Sequence, residues 1–178
     1  MNNPFRVGTT LYLRPLERSD ASTIAPWFND PEVGRTIAMY RPVSVDAEHE
    51  FLADVYKSEY DLVLGIVPKQ SDTLIGVTGL HRIDFKNRHA SFGINIGRKD
   101  EWGKGYGTEA TSLMVQYAFE ILNLNRVWLL VYENNARGRR AYEKVGFQQE
   151  GVLRQERYHD GRYWNAFLMG ILREEWKK

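Results

Sequence analysis

At 178 residues the chain has room for a single domain, 1–178, with a sizeable core, and its 43% hydrophobic and 26% charged composition is that of a globular protein. A formal net charge of +1 supplies no global field of the kind that nucleic-acid or membrane-surface binders carry, so neither partner is expected. Cysteine is absent, which removes disulfides, thiolate nucleophiles and cysteine metal sites. Residues 1–6 lack a hydrophobic signal and no apolar run approaches membrane length, so a cytoplasmic location is the expectation.

In chain order, residues 11–16 read as a strand closed by Pro15. Ser19 or Asp20 then caps a helix through Ile24, Trp27 and Phe28 that halts at Asn29-Asp30-Pro31. Ser44 opens a second helix carrying Ala47, Phe51, Leu52 and Val55. Residues 61–67 and 74–80 are short apolar strands, and a polar turn at 85–88 leads to a strand over 90–96.

That strand runs into Asp-Glu-Trp-Gly-Lys-Gly-Tyr-Gly-Thr-Glu at 100–109, the most informative stretch of the chain. Gly103, Gly105 and Gly107 alternate and lead into a helix whose apolar stripe is Leu113, Met114, Tyr117, Ala118, Ile121 and Leu122. Glycine lets backbone approach a ligand closely, and a helix N-terminus offers unpaired N–H groups and a positive dipole end. Together they suit an anionic group, most naturally a phosphate. Two nucleotide motifs fail on spacing. A P-loop needs Ser or Thr after its lysine, where Lys104 is followed by Gly105, and the dinucleotide fingerprint needs Gly-x-Gly-x-x-Gly.

Residues 126–132 are nearly continuous apolar sequence, as in a strand covered on both faces. Strand, glycine loop, helix and strand make a βαβ crossover, so the flanking strands should run parallel. Asn135 caps a helix over 136–145, with Gly146 as its left-handed C-terminal residue and Phe147 folding back on the last turn. Residues 152–159 and 162–172 pair across Asp160-Gly161. The fold class is α/β with a mixed sheet, mostly antiparallel with one parallel pair, flanked by helices.

The run Trp102 to Glu109, then Asn135, then Ala141-Tyr142-Glu143-Lys144-Val145-Gly146-Phe147, resembles the GNAT superfamily of acyl-CoA-dependent N-acyltransferases in order and spacing. Arg14-Pro15-Leu16, Gly151-Val152-Leu153-Arg154 and Asp160-Gly161-Arg162-Tyr163 are similar to the branch holding Rim-type ribosomal-protein N-terminal acetyltransferases and spermidine acetyltransferases. The resemblance implies acetyl-CoA as co-substrate, no metal, direct attack by a primary amine (a peptide N-terminus or a small molecule), and allows a homodimer. It places the amides of Gly103, Lys104, Gly105, Tyr106, Gly107 and Thr108 on the pyrophosphate, with Lys104 adding a charge. Backbone groups around Asn95, Ile96 and Gly97, freed by splaying strands, hold the pantetheine arm and polarise the thioester carbonyl. Asn135 bonds the pantetheine while also capping its helix, and Arg140 is a partner for the 3′-phosphate.

Tyr142 matches the family tyrosine beside the thioester sulfur, where a phenol can protonate the leaving thiolate; its plain alternative is a core aromatic. Trp102 departs from the Gln or Arg of many relatives, and Ser91 stands where this branch often has a glutamate, which puts a carboxylate base in question. Ser91 and His81 are carried as catalytic candidates, with Asp84, Glu133 and His89 as further bases. A protein α-amine near pKa 8 costs about 1 kcal/mol to free at neutral pH and a lysine-like amine about 4 to 5, so a weak base fits the former better. Carboxylates at Asp30, Glu32, Asp46, Glu48 and Glu50 can attract a polyamine, although acidic residues also favour helix N-termini for their own sake. The aromatics Tyr158, Tyr163 and Trp164 are candidates to wall the acceptor pocket. A CoA-binding sensor and an arginine-helix nucleic-acid binder (Arg137, Arg139, Arg140) are the rival classes; the Asn135–Tyr142 pair and the near-neutral charge count against them.

Overall fold

A computed structural model of the protein describes residues 1–177. Eight strands form one sheet: β1 (Arg6–Val7), β2 (Leu11–Pro15), β3 (Leu62–Pro68), β4 (Gly76–Asp84), β5 (His89–Ile96), β6 (Arg126–Tyr132), β7 (Gln148–His159) and β8 (Arg162–Leu172). Their order is β1-β2-β3-β4-β5-β6-β8-β7, and all neighbours are antiparallel except β5 and β6. Among the described residues five α-helices accompany it: α1 (Ala21–Asn29), α2 (Pro31–Gly34), α3 (Val45–Asp54), α4 (Tyr106–Glu120) and α5 (Ala136–Val145). The mixed sheet with one parallel pair expected from the crossover is what is found.

Side-chain alternation sends β2 and β3 into two cores. Leu11, Leu13, Leu64 and Ile66 join α4 residues such as Met114 and Phe119 on one face. Tyr12, Val63 and Val67 join Ile24 of α1 and Leu52 of α3 on the other. The sheet is thus covered by α4 and α5 on one side and by α1 and α3 on the other.

Several boundaries differ from the sequence reading. Helix α4 starts at Tyr106, because Gly105 at φ +90 is already its cap and the last two glycines belong to the cap and first turn. It ends at Glu120, leaving Ile121 exposed, while Val115 and Phe119 widen the buried face beyond the expected stripe. Strand β4 continues to Asp84, and β7 begins at Gln148 and carries two register shifts. Strand β1 and the one-turn α2, capped by Asp30 accepting from the N–H of Glu32 and Val33, are too short to leave a periodic signal.

One irregularity of the sheet positions the site. Strand β5 pairs with β4 as far as Ile96, and β6 pairs with β8 over its whole length. Between β5 and β6, however, pairing covers His89–Ser91 against Arg126–Trp128 and then stops. Beyond it the two strands part, and a gap opens between residues 92–96 and 129–132.

Candidate active site

On the α4 side of the gap lies a cavity of about 280 Å³, lined by Trp102, the glycine loop, the first turn of α4 and the exposed face of α5. Gly103 at φ +79 and Gly105 at φ +90 hold the loop in left-handed conformations that side chains rarely adopt. Gly107 is different. Its backbone is helical, and a Cβ there would meet no protein atom within 4 Å, so the space it leaves open is cavity. Glycine inside a helix costs roughly 0.5–1 kcal/mol relative to alanine.

Strand β5 presents alternating backbone groups to this gap. The Asn95 carbonyl lies against Gly76 of β4, so the N–H and C=O of Ile94 and Ile96 point the other way. The indole Nε1–H of Trp102 donates to the Ile96 carbonyl at 2.7 Å, and the guanidinium of Arg137 stacks 3.8 Å over the Trp102 ring. Trp102 therefore braces the cavity wall, a role no sequence pattern announced. The three arginines of α5 separate: Arg137 and Arg140 line the cavity, while Arg139 pairs with Glu143 at 2.9 Å and stacks on Phe167.

Two residues expected at the cofactor are not among those lining this cavity. Lys104 does not line the cavity, because its ammonium is held by Glu101 at 2.9 Å. Gly97 does not line it either; a Cβ there would collide with the Trp27 ring, so its close approach is to α1. Asn95 contributes through its side chain, its backbone being turned toward β4. The residue is 8% exposed, and its Nδ2 has no partner among the described residues. Asn135 caps α5, its Oδ1 accepting from the Gly138 N–H at 2.9 Å.

A second cavity, of about 500 Å³, lies on the α1/α3 face. Its walls are Ile24 and Phe28 of α1, Glu48 and Phe51 of α3, the segment 36–39, and β4–β6. That segment is tied down from a distance: Arg157 of β7 donates to the carbonyls of Gly34 (2.7 Å) and Arg35 (2.6 Å) and stacks on Tyr132. The hairpin aromatics do not reach this cavity. Tyr158 and Tyr163 pack on each other at 5.1 Å in solvent, and Trp164 carries Arg162.

The two cavities share Thr36, Ile94, Asn95, Asn135 and Tyr142. Tyr142 is 8% exposed, with its ring edge-on to Phe92 at 6.2 Å and against Phe147 at 6.0 Å. The left-handed Gly146 (φ +110) fixes the end of α5, with the N–H groups of Gly146 and Phe147 both donating to the Tyr142 carbonyl. Burial pushes the phenol from its ordinary 10.0 up to about 12, so it stays protonated. Its hydroxyl has no protein partner among the described residues, which leaves the proton uncommitted.

Among the candidate bases, His81 and Ser91 are Cα partners across β4 and β5, and both line the second cavity. The imidazole lies over Gly79 and Gly93, where side chains would crowd it, and its Nδ1 is 3.3 Å from Asp61 Oδ1. Burial raises the Asp61 carboxyl, but bonds from Ser58, the Arg82 N–H and His81 outweigh this and hold it below the ordinary carboxylate range. Ser91 donates its hydroxyl to the His81 carbonyl at 3.1 Å. Asp84, Glu133 and His89 lie outside both cavities; Asp84 accepts from Asn87, and Glu133 from the Asn165 N–H.

Of the early acidic residues, Asp30 and Glu32 are taken by Lys99 at 2.8 and 3.2 Å, and Asp46 and Glu50 face solvent. Only Glu48 enters the second cavity. Its placement was open to a reading of helix faces, since it stands four residues before the buried Leu52.

A glycine loop at one side of a splayed sheet, and a second cavity meeting the first at an uncommitted phenol, fit an acyl-CoA-dependent acyltransferase. The comparisons agree. The family described as acetyltransferase (GNAT) domain matches residues 10–148. The chain is 31% identical over 173 residues to the uncharacterized N-acetyltransferase p20 of Bacillus licheniformis, covering 93% of this chain and 94% of that protein. It is 31% identical over 164 residues to the spermidine N(1)-acetyltransferase of Escherichia coli (strain K12), covering 92% and 87%. Among solved structures, the spermidine N-acetyltransferase from Vibrio cholerae in complex with CoA and spermine superposes with a TM-score of 0.85 at 29% identity, over 94% of this chain and 98% of that one. The chain belongs to the GNAT acetyltransferase family and is an acetyl-CoA-dependent enzyme that acetylates an amine.

Proposed function

We propose that the acceptor is a small-molecule primary amine in the cytoplasm, entering from the α1/α3 side and attacking an acetyl group presented from the α4 side. The observation that carries this is the junction: five residues line both cavities, and Tyr142 is among them. The volume of the second cavity and its cover by the tied segment 36–39 suit a small molecule better than a peptide chain. Relatives named spermidine N(1)-acetyltransferase support the same acceptor class.

Acetyl-CoA supplies an activated acyl thioester. The chain's own residues do the rest. Amides of the glycine loop and of the first turn of α4 bind the diphosphate, at the positive end of a fifteen-residue helix. The inward N–H groups of β5 donate to the carbonyl oxygen as charge builds there. His81, with Asp61 accepting from Nδ1–H, keeps Nε2 as the acceptor atom and removes the proton from the attacking nitrogen. Tyr142, neutral through burial, gives its proton to the leaving sulfur.

Release of free thiol from acetyl-CoA, measured across polyamines, amino acids, aminoglycosides and peptides, tests the reading. Small aliphatic amines are expected to give the highest kcat/KM. Preferential turnover of peptides would overturn the acceptor assignment, and binding of acetyl-CoA without thiol release for any amine would favour a sensor.

A further inference from the structure

Glu48 is a buried acid with no role in the chemistry above. It sits in the first half of α3, 5% exposed, on the face that also buries Leu52 and Val55. Other carboxylates on this side of the sheet are paired, Asp20 with Arg14, Asp30 and Glu32 with Lys99, Asp61 with His81, or face solvent, as Asp46 and Glu50 do. Among the described residues, no hydrogen-bond donor and no cation pairs with the Glu48 carboxylate, and the side chain lines the larger cavity.

An unpaired buried carboxylate is costly, and a protein that keeps one without function would be more stable with an apolar residue of similar size. Burial raises the Glu48 carboxyl above its ordinary range. The rest of the wall around it is largely apolar, including Leu16, Ile24, Phe28, Met39 and Phe51. That part of the wall accepts methylene groups, while polar residues of the same cavity, among them Thr78, His81, Arg82, Ser91 and Asn95, stand across from it on β4 and β5.

We propose that Glu48 receives a second, protonated nitrogen of the acceptor, so that the substrate is a primary amine joined through an aliphatic spacer to another ammonium group. The reacting nitrogen lies near Tyr142 and His81, and the spacer runs along the apolar wall. The proposal rests on the acetyl-transfer reading for the reacting end only. In the free enzyme the carboxylate is a liability; in the complex it forms a charge-assisted hydrogen bond inside a low-dielectric cavity.

The test compares straight-chain α,ω-diamines with monoamines of equal length, in the wild type and in Glu48→Gln, by thiol release and by thermal shift. The wild type is expected to prefer diamines at one optimal spacer length. Glu48→Gln should bring the diamine-to-monoamine ratio of kcat/KM down by about 10- to 100-fold, the worth of one hydrogen bond to a charged group. Its melting temperature without ligand should equal or exceed that of the wild type, an outcome that a merely structural glutamate would not give. A wild type indifferent to the second nitrogen, or a preference that survives Glu48→Gln, overturns the proposal. Thermal stabilisation by diamine reads binding without turnover. Glu48-dependent stabilisation with no thiol release would therefore support this inference while refuting acetyl transfer, and no stabilisation by any diamine would refute the inference itself.

Discussion

The two cavities that meet at Tyr142 are built from different materials. The α4-side cavity takes part of its wall from main chain, a loop with two left-handed glycines, the open first turn of one helix and the inward-facing groups of Ile94 and Ile96, beside the side chains of Trp102, Arg137 and Arg140. The α1/α3-side cavity is made of residues from three helices, four strands and a loop held by Arg157 from far along the chain. A site built from peptide groups binds what every acyl-CoA has in common, so its sequence requirement is compact. A site built from scattered side chains can change its ligand one residue at a time, and its requirement is diffuse.

The strongest test of this contrast falls on the residue that both cavities share. Tyr142→Phe should lower kcat by about 10²- to 10⁴-fold, the range of general acid catalysis, while the KM for acetyl-CoA changes little. Unchanged turnover would remove the phenol from the mechanism. The same variant has a signature in stability. Between pH 10.0 and about 12 the unfolded chain ionises this phenol and the native one does not. The unfolded state thus binds fewer protons there, and native stability declines as pH rises through that window. Chemical denaturation at several alkaline pH values should show the slope in the wild type and a shallower one in Tyr142→Phe.

A smaller effect is expected on the side-chain half. Asp61→Asn should reduce kcat/KM for the amine by about 10-fold to 100-fold and change its pH profile, because the imidazole loses the carboxylate that fixes its tautomer. An identical pH profile in that variant would exclude Asp61 as the positioning group. Smaller again is the main-chain half. Gly107→Ala should raise the KM for acetyl-CoA by about tenfold, one hydrogen bond's worth, with no fall in melting temperature. Gly105→Ala, at φ +90, should weaken cofactor binding and also destabilise the fold by roughly 1–2 kcal/mol. If Gly107→Ala bound acetyl-CoA normally, the main-chain account of that cavity would fail.

The same contrast explains what could be read before any coordinates. The strand–loop–helix–strand run is contiguous, so the glycine spacing and the stripe on α4 announced the parallel pair, and Gly146 the end of α5. The pairing of Trp102 with Arg137, and of Lys104 with Glu101, depends on rotamers and charge competition, to which spacing is blind. Glu48 was visible as one acid in a run of them, and only its helical phase relative to Leu52 distinguishes it from Asp46 and Glu50. The segment 36–39 and its anchor Arg157 share no period and no local signal, being joined across more than a hundred residues.

The sheet is joined by a seam only three residue pairs long between two halves, one carrying β1 to β5 and the other β6 to β8. The inward amides of β5 therefore lack the neighbour that would shield them from solvent deuterium, and a ligand lodged in the fork takes that neighbour's place. Slowed deuterium uptake at Ile94 and Ile96 on addition of coenzyme A would show the small molecule acting as a missing strand, and the protein completing its architecture only when loaded.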